Sequence, residues 1–406
     1  MYTDTLTNIA KKFKSSDEQA AVVAAFPSYS EVRVQLARHR TVRCIPVPDP
    51  FNIPERLRVT LRGREAVESD ANKNEQFLLY TGQGCRLLVF CAQTELATLH
   101  QSEYLIGDGT FEMAPDSSYK LYTIHGFLHG EGLPLVFAIL PNKTTDTYVE
   151  MLTALRSALL SAFGNIGSVR YVLTDFELAA VKAVQKVFPE VTVKGCTFHF
   201  RQAVLRRIKH KGLQQVYESE TACPDLRRWM RYLMAMCLLP AFAIPIIWNV
   251  LQVPPVCSAD FHTRTQALAQ YFQNTWIAGE FPPSMWTHFD HCGPRTTNLA
   301  EGFHNSLNSR FGTPHPSMRT FLDWLQKCQF ETQCRETQLA AGRCPEKRAP
   351  AYVRNDAAIA AAKLRYGVNI GQLFAYNFPQ ANSWHQFNSM TVDFLAYVSH
   401  LIGLGQ

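Results

Sequence analysis

The sequence predicts an α/β fold in which helices cover a mixed β-sheet, and three observations support this class. Three short apolar runs follow one another between residues 104 and 140, separated by turn-rich pieces that suit antiparallel neighbours. Helical and strand patterns then alternate to about residue 202, as expected for crossovers that place helices on the faces of a sheet. Residues 203–295 show helical patterns without a convincing strand, which predicts an all-helical insertion.

Composition limits the functional classes only weakly. The 406 residues are 47% hydrophobic and 18% charged, which is typical of a globular chain with one elaborated domain or two to three parts. The net charge of +6 is too small to predict nucleic-acid binding by itself. The eleven cysteines are scattered, and no secretory signal begins the chain, so reduced, intracellular thiols are expected.

The pattern divides the chain into five predicted segments. A helical and loop-rich lead-in occupies residues 1–75, and the core of the fold begins after it. The insertion separates the two parts of this core, and a helical extension ends the chain. The remaining predicted boundaries are 76–202 for the first part of the core, 203–295 for the insertion, 296–345 for the completion of the core with a late helix, and 346–406 for the extension.

Within the core, the predicted elements follow in a definite order. Residues 76–92 contain two apolar runs around a glycine turn, which predicts a hairpin. The helix predicted at 144–163 has apolar residues three and four apart, and its threonines and Asp146 suit a helix start. The other predicted elements are strands at 104–109, 119–128, 133–140, 169–175 and 191–196, a helix at 176–188, and a helix beginning near Phe198.

The apolar segment 233–251 is nearly long enough to cross a bilayer, which needs about 20 mostly apolar residues. Pro240 and Pro245 interrupt it, and a proline inside a helix breaks that helix. We therefore expect two short buried helices joined at the prolines and no membrane partner.

Two aspartates follow buried strands of the predicted sheet. Asp108 lies between two glycines in YLIGDG, and Asp175 ends VLTD. Ligands of such sheets bind at the carboxyl ends of strands, so the two carboxylates are expected to meet at one edge if the strands are neighbours.

A third acid lies on the late helix. Four apolar residues recur every fourth position and are expected to pack on the sheet, while a second side of the helix is polar. The apolar residues are Leu299, Phe303, Leu307 and Phe311, and the polar ones are Glu301, His304, Asn305 and Asn308.

Three carboxylates brought together repel one another and raise each other's pKa unless a divalent cation neutralises them. Oxygen ligands alone favour Mg²⁺ or Mn²⁺, and two such ions can activate a water or a 3′-hydroxyl and stabilise the leaving oxygen of a phosphodiester. The predicted metal ligands are Asp108, Asp175 and Glu301. The glycines beside Asp108 are expected to let metal and phosphate approach the backbone.

Each acid also has a simpler, purely structural interpretation. The sequence pattern alone does not decide between that interpretation and metal binding. Asp108 suits an Asx turn, and Asp175 suits the N-cap of a helix beginning at Phe176. Glu301 follows Asn298 by three residues, as the acid of a capping box does.

Cys196 and His199 have a spacing that places a thiolate and an imidazole on one metal, but structural zinc needs four ligands. The segment HFDHC at 288–292 is the nearby candidate for the others, and a packing or hydrogen-bonding role is favoured over zinc. A basic helix follows, which suits either solvent or a polyanion backbone. Its cations are Arg201, Arg206, Arg207, Lys209 and Lys211.

Taken together, these motifs resemble the transposase domain of Mutator-like elements. The resemblance covers about residues 76–330, and its motifs occur in the order of the family. The motifs are DGTF, LYTIHGF, PLVFAILPNKTTDTY, TDFE, CTFHFRQA and RTTNLAEGFH.

The resemblance implies a ribonuclease H-like mixed sheet with a DDE triad, interrupted by an all-helical insertion before the glutamate. It assigns the triad to Asp108, Asp175 and Glu301, with Mg²⁺ or Mn²⁺ as cofactor. It maps the Cys-x-x-His signature of the family, regarded as structural or DNA-related, onto Cys196 and His199. DNA, as transposon ends and target, is the implied partner, with His304 and the basic helix as candidate contacts.

The first hypothesis is therefore a nuclear DNA transposase, with a homo-oligomer left open. The second is a domesticated, non-catalytic DNA-binding or regulatory protein, and the third, through segment 233–251, is a membrane-associated protein. The N-terminal zinc module of related animal copies has no counterpart before Gln76, where Cys44 has no paired ligand. Recognition of terminal repeats is accordingly left open.

Overall fold

The computed structural model describes residues 53–66, 75–82, 86–110, 114–115, 119–311, 315–377 and 381–402. Seven strands in these residues form a mixed sheet. They are β1 (Leu78–Thr81), β2 (Leu88–Phe90), β3 (Tyr104–Thr110), β4 (Lys120–Leu128), β5 (Glu131–Leu140), β6 (Tyr171–Thr174) and β7 (Thr192–Gly195).

The sheet has the spatial order β1-β2-β5-β4-β3-β6-β7. Strands β3, β4 and β5 form an antiparallel meander, and β6 pairs with β3 in parallel. The predicted hairpin of β1 and β2 extends the sheet beyond β5. This arrangement confirms the predicted α/β class and its ribonuclease H-like mixed sheet.

Helices supply the crossovers between the later strands. Helix α4 (Thr145–Phe163) joins β5 to β6 and begins as predicted, because the Thr144 side chain accepts a hydrogen bond from the Thr147 backbone N–H. It ends at Gly164, whose φ of 75° is the left-handed conformation common after helices. The helices before β7 are α1 (Glu55–Arg58), α2 (Leu61–Ala66), α3 (Gln93–Gln101), α4 (Thr145–Phe163) and α5 (Leu178–Val187).

The chain divides into two compact units. Unit 1 consists of Met1–Val193 and Thr297–Glu346, and unit 2 of Lys194–Thr296 and Lys347–Gln406. Residues 203–295 contain helices and no strand, while the five segment boundaries stay a prediction. The lead-in 1–75 lies mostly outside the described residues.

The remaining helices are numbered in chain order. Those up to residue 286 are α6 (Thr197–His210), α7 (Gln214–Glu218), α8 (Pro224–Ala235), α9 (Ala243–Leu251), α10 (Ala259–Phe272) and α11 (Pro283–Trp286). Those after it are α12 (Asn298–Phe311), α13 (Met318–Ala340), α14 (Pro350–Asn377) and α15 (Ala381–Ile402).

Segment 233–251 forms two helices, as predicted. The end of α8 continues into a 3-10 turn at Met236–Leu238, and α9 begins after Pro240. Pro245 lies in the first turn of α9, where a backbone N–H has no partner within the helix. None of the helices in the described ranges is both long enough and apolar enough to span a bilayer.

One pair of cysteines differs from the expectation of reduced thiols. Cys223 and Cys257, both in unit 2, form a disulfide, and their Cα atoms lie 6.1 Å apart, within bridging reach. The cysteines found as free thiols are Cys91, Cys196, Cys237, Cys292, Cys328, Cys334 and Cys344.

Candidate active site

The parallel pairing of β3 with β6 brings Asp108 and Asp175 level. Tyr104 pairs with Tyr171 and Ile106 with Leu173, an offset of 67 residues. The same offset separates the two aspartates, since 175 − 108 = 67. Residues at one level of neighbouring parallel strands project to the same face, and the strands are about 4.8 Å apart. Asp108 lies two residues after the last paired residue of β3, and Asp175 follows the end of β6 at the corresponding position, so the two acids lie close together.

Asp108 lies within β3 rather than at its end. It pairs with Thr123 of β4, so the Asx-turn alternative for Asp108 is wrong. Asp108 is 9% exposed, and its Oδ2 lies 3.2 Å from His304 Nδ1. The other nitrogen of this ring, Nε2, lies 3.0 Å from the Thr123 hydroxyl oxygen. His304 therefore ties α12 to both β3 and β4.

Asp175 is part of a tight turn between β6 and α5. Its Oδ1 accepts a hydrogen bond of 3.1 Å from the backbone N–H of Glu177. Helix α5 begins at Leu178 with Glu177 as its N-cap, so Asp175 is not the N-cap of a helix starting at Phe176. Burial raises the Asp175 pKa, and the carboxylates of Glu177 and Asp108 raise it further.

Helix α12 carries Glu301 over the same face of the sheet. Ala300 forms a buried cluster with Ile106 and Leu173, which precede Asp108 and Asp175 by two residues on their strands. Glu301 is half-buried, and its Oε1 accepts a hydrogen bond of 3.3 Å from the Thr297 hydroxyl.

The residue at which α12 begins tests the alternative interpretation of Glu301 as the acid of a capping box. Asn298 is the first residue of the helix, and the Glu301 N–H donates to the Thr297 carbonyl. A capping box between Asn298 and Glu301 is therefore wrong, because its first member must precede the helix.

The packed side of α12 matches the prediction in part, because Phe303 and Leu307 of the predicted apolar stripe pack in the core. His304 is 7% exposed and faces the sheet, whereas Leu299 of the predicted apolar stripe is 41% exposed. His304 lies four residues after Ala300 and three before Leu307, so all three share the buried side. Polar bonds to Asp108 and Thr123 compensate for burying the imidazole.

The carboxylates do not already form a metal-binding set. No group of three or more His, Cys, Asp or Glu side chains, among those the structure describes, is arranged to hold a metal ion. The fold thus brings two acids level and packs α12 beside them. Their roles as metal ligands stay a prediction.

The glycines beside Asp108 make room for two side chains of β4. A Cβ on Gly107 would collide with the hydroxyl oxygen of Tyr122, and one on Gly109 with Cε of Lys120. This space is filled by protein atoms. The idea that the glycines admit metal and phosphate is therefore replaced by a packing explanation.

Lys120 belongs to a buried polar network that sequence reasoning missed. Its Nζ lies 2.8 Å from Glu177 Oε2 and 2.8 Å from the Tyr148 hydroxyl oxygen, and this hydroxyl lies 2.7 Å from Glu177 Oε1. Burial alone would raise the Glu177 pKa, but the bonds from Lys120 and Tyr148 outweigh it and hold that pKa below its usual value. The sequence signal that could have revealed this network is a lysine at the start of an otherwise apolar strand.

In unit 2, Cys196 is the N-cap of α6 and is fully buried, and His199 lies in the first turn. The HFDHC segment reaches this helix start through a hydrogen bond of 2.8 Å between His288 Nε2 and the Gly195 carbonyl oxygen. This bond does not involve the side chains of Cys196 or His199, so the preference for a packing or hydrogen-bonding role over zinc stays a prediction. A role of Cys196 and His199 in DNA binding stays a prediction.

The basic residues of α6 do not form one solvated face. Arg201 donates to the carbonyl oxygen of Ile402, and Arg207 lies over the Tyr271 ring at 4.7 Å. Arg206 and Lys209 are exposed, and Lys211 is half-buried. The last three are the cations best placed to meet a polyanion.

Residues 104–203 match the family model of the MULE transposase domain. The match identifies a MULE transposase domain in this part of the chain. It includes Asp108, Asp175, Cys196 and His199 and ends before Glu301. A MULE transposase domain indicates a transposase-type function and implies interaction with DNA. A search of curated proteins found no significant match.

Proposed function

We propose that this protein is a Mutator-like DNA transposase that cleaves and joins DNA strands through Asp108, Asp175 and Glu301. The observation that carries the proposal is the parallel pairing of β3 with β6, whose register has the same offset of 67 residues that separates the two aspartates. It is supported by the MULE match over the same strands. Helix α12, which carries Glu301, packs on Ile106 and Leu173 beside both acids.

The donor atoms fit Mg²⁺ or Mn²⁺, which favour oxygen ligands. Asp108 on β3 and Asp175 in the turn after β6 lie close together, and burial together with the charges of Glu177 and Asp108 raises the Asp175 pKa. A divalent cation relieves such repulsion. Asp108 and Asp175 would hold the ions between them, with Glu301 as the third ligand. Bound there, the ions would activate a water or 3′-hydroxyl and stabilise the leaving oxygen.

The protein's own residues orient this reaction. His304 fixes the Asp108 carboxylate against β4. The exposed cations of α6 contact phosphates, which positions DNA without reading its sequence. Water attacks a phosphodiester at the element end, which breaks the P–O3′ bond and leaves a 3′-hydroxyl and a 5′-phosphate. The 3′-hydroxyl then attacks a phosphodiester of the target DNA and displaces the 3′-hydroxyl of the target strand. Transposon ends and target are thus the proposed partners, in the nucleus, with a homo-oligomer as the proposed assembly.

A specific observation favours the second candidate, a domesticated DNA-binding protein without catalysis. Asp108 is already engaged by His304, and no three-acid metal site is assembled among the described side chains. Such a protein would keep salt-dependent DNA binding, because phosphate contacts release counterions.

The first experiment measures nicking and strand transfer on supercoiled plasmid with Mg²⁺ or Mn²⁺. We expect Asp108→Asn and Glu301→Gln each to lower cleavage by roughly two orders of magnitude or more, because each removes a ligand charge from the reacting centre. Thermal unfolding of each variant checks that the fold is kept.

Asp225→Asn is the matched control. Asp225 lies in unit 2, is 74% exposed and pairs with Arg228 at the surface, so its loss should leave cleavage unchanged. Full cleavage by a folded Asp108→Asn variant would overturn the triad. An inactive wild type that still binds DNA in a salt-sensitive way would favour the domesticated protein.

A further inference from the structure

The Asp175 turn is held in place from its far side by Glu177. The Glu177 backbone N–H donates to Asp175 Oδ1, while its side chain points into the buried network. Each Glu177 oxygen accepts one bond, Oε1 from Tyr148 and Oε2 from Lys120. Lys143 lies 3.5 Å from the same Oε2. Glu177 lies two residues from Asp175, and both of its carboxylate oxygens are bonded within this network.

Lys120 is the buried cation of this network. Its side chain is 2% exposed, against 18% for Glu177. Burying a charge costs free energy, and replacing a buried ion pair with apolar groups is often neutral or stabilising. The pair is therefore weak evidence for a role in stability alone. Its position is more informative, because it joins β4, α4 and the turn that follows β6.

Gly109 is part of the same arrangement. Any side chain at this position would occupy the space of the Lys120 stem. The residue after Asp108 is thus small so that Lys120 can cross β3 and reach Glu177. One lysine thus connects strand β3, which carries Asp108, with the turn that carries Asp175.

We propose that Lys120 is a positioning residue that acts through Glu177 to fix the turn presenting Asp175. The inference rests on the proposed function and deepens it. Groups that orient metal ligands without touching the metal are worth about 10- to 100-fold in metal affinity or activity. We expect the loss of Lys120 to change metal affinity or activity by a similar factor, because a metal ligand needs to be held within about 0.5 Å of its productive position.

The test compares Lys120→Met with Lys120→Arg in the full chain. Lys120→Met should raise the Mn²⁺ concentration for half-maximal plasmid cleavage by about 10- to 100-fold. It should also speed hydrogen exchange at the Glu177 amide, because the turn is loosened. Lys120→Arg keeps the charge and should recover part of both effects. Lys186→Met, on the exposed side of α5, is the control and should change neither measurement.

Tyr148→Phe is the second variant, used if Lys120→Met does not fold. It removes one bond to Glu177 and leaves the ion pair, so the same two changes should appear at smaller size. The inference would be overturned by a folded variant whose hydrogen exchange at the Glu177 amide and whose Mn²⁺ dependence of cleavage both equal those of the wild type. If the wild type does not cleave DNA, the proposed function fails, and the exchange measurement still decides whether Lys120 holds the turn.

Discussion

Glu95 places a carboxyl group in the interior of unit 1. It is fully buried on α3, and its Oε1 accepts bonds from Gln329 at 2.9 Å and Thr94 at 3.1 Å. Its Oε2 is buried without a hydrogen-bond partner. Burial raises the Glu95 pKa to about 7, so the neutral acid is the form the fold prefers.

The raised pKa of Glu95 determines in which direction the free energy of unfolding changes with pH. The pKa of Glu95 in the folded protein lies above its value of 4.5 when solvated, so folding binds a proton between these limits. The contribution of Glu95 to the free energy of unfolding therefore falls by about 3 kcal/mol as pH rises from 4.5 to 7. Glu95→Gln, which stays neutral, should be more stable than the wild type by up to this amount at pH 8 and about equal to it at pH 4.

Denaturant unfolding at the two pH values measures the difference. Glu75→Gln is a suitable comparison, because Glu75 is half-buried and accepts a bond from Thr60 at 2.9 Å. If Glu95→Gln gives the same difference from the wild type at both pH values, the raised Glu95 pKa is contradicted.

At the scale of elements, two glycines near the acids should respond oppositely to alanine. A Cβ on Gly302 of α12 meets no atom within 4 Å, so Gly302→Ala should stabilise the protein by about 0.5–1 kcal/mol through helix propensity. Gly109→Ala should destabilise it by about 1–3 kcal/mol, because the Lys120 stem is fixed by Glu177 and Tyr148 and cannot give way freely.

Urea unfolding of both variants against the wild type provides the measurement. Equal effects of the two substitutions, in size and sign, would contradict the packing explanation for Gly109.

Much of the sheet could be predicted because its patterns are local. Each strand of the β3–β5 meander is a short apolar run between turn signals, and Thr144 marks the start of α4. Helix α3 was missed because its N-cap, Ala92, provides no capping side chain. The start of α5 was placed two residues early, since the role of Asp175 in a turn with Glu177 depends on the three-dimensional fold.

The site was predictable in part for the same reason. Asp108 and Asp175 each follow an apolar strand pattern in the sequence, and a crossover fold makes it reasonable to expect those strands to be neighbours. The structure confirms the pairing, with an offset of 67 residues. The contacts of His304 with Asp108 and of Lys120 with Glu177 join elements far apart in the chain. The periodicity of α12 alone predicts His304 on the polar side of the helix. It does not reveal that Asp108, a buried polar partner, lies on the sheet beneath it.

At the scale of the whole molecule, the disulfide in unit 2 closes a segment between residues 34 apart in sequence. A closed loop of this length restricts the unfolded chain by roughly 3–4 kcal/mol in the chain-entropy view. The double variant Cys223→Ser/Cys257→Ser should lower the free energy of unfolding by about this amount without reductant. The wild type with reductant should approach the variant.

Denaturant unfolding of unit 2, followed by tryptophan fluorescence, is the measurement. Cys292→Ser changes an exposed free thiol and serves as the control. An unchanged free energy for the double variant would contradict a stabilising role for this bridge.

The placement of the late helix has a consequence for synthesis on the ribosome. The segments that carry Asp108 and Asp175 emerge long before α12, because Glu301 follows Asp175 by 301 − 175 = 126 residues. At about 5–20 residues per second, this interval lasts on the order of 6–25 s. During it, Ile106 and Leu173 lack the cover that Ala300 provides in the finished protein. Until α12 is synthesised, the nascent chain therefore leaves these two apolar side chains without the contact that α12 later makes with them.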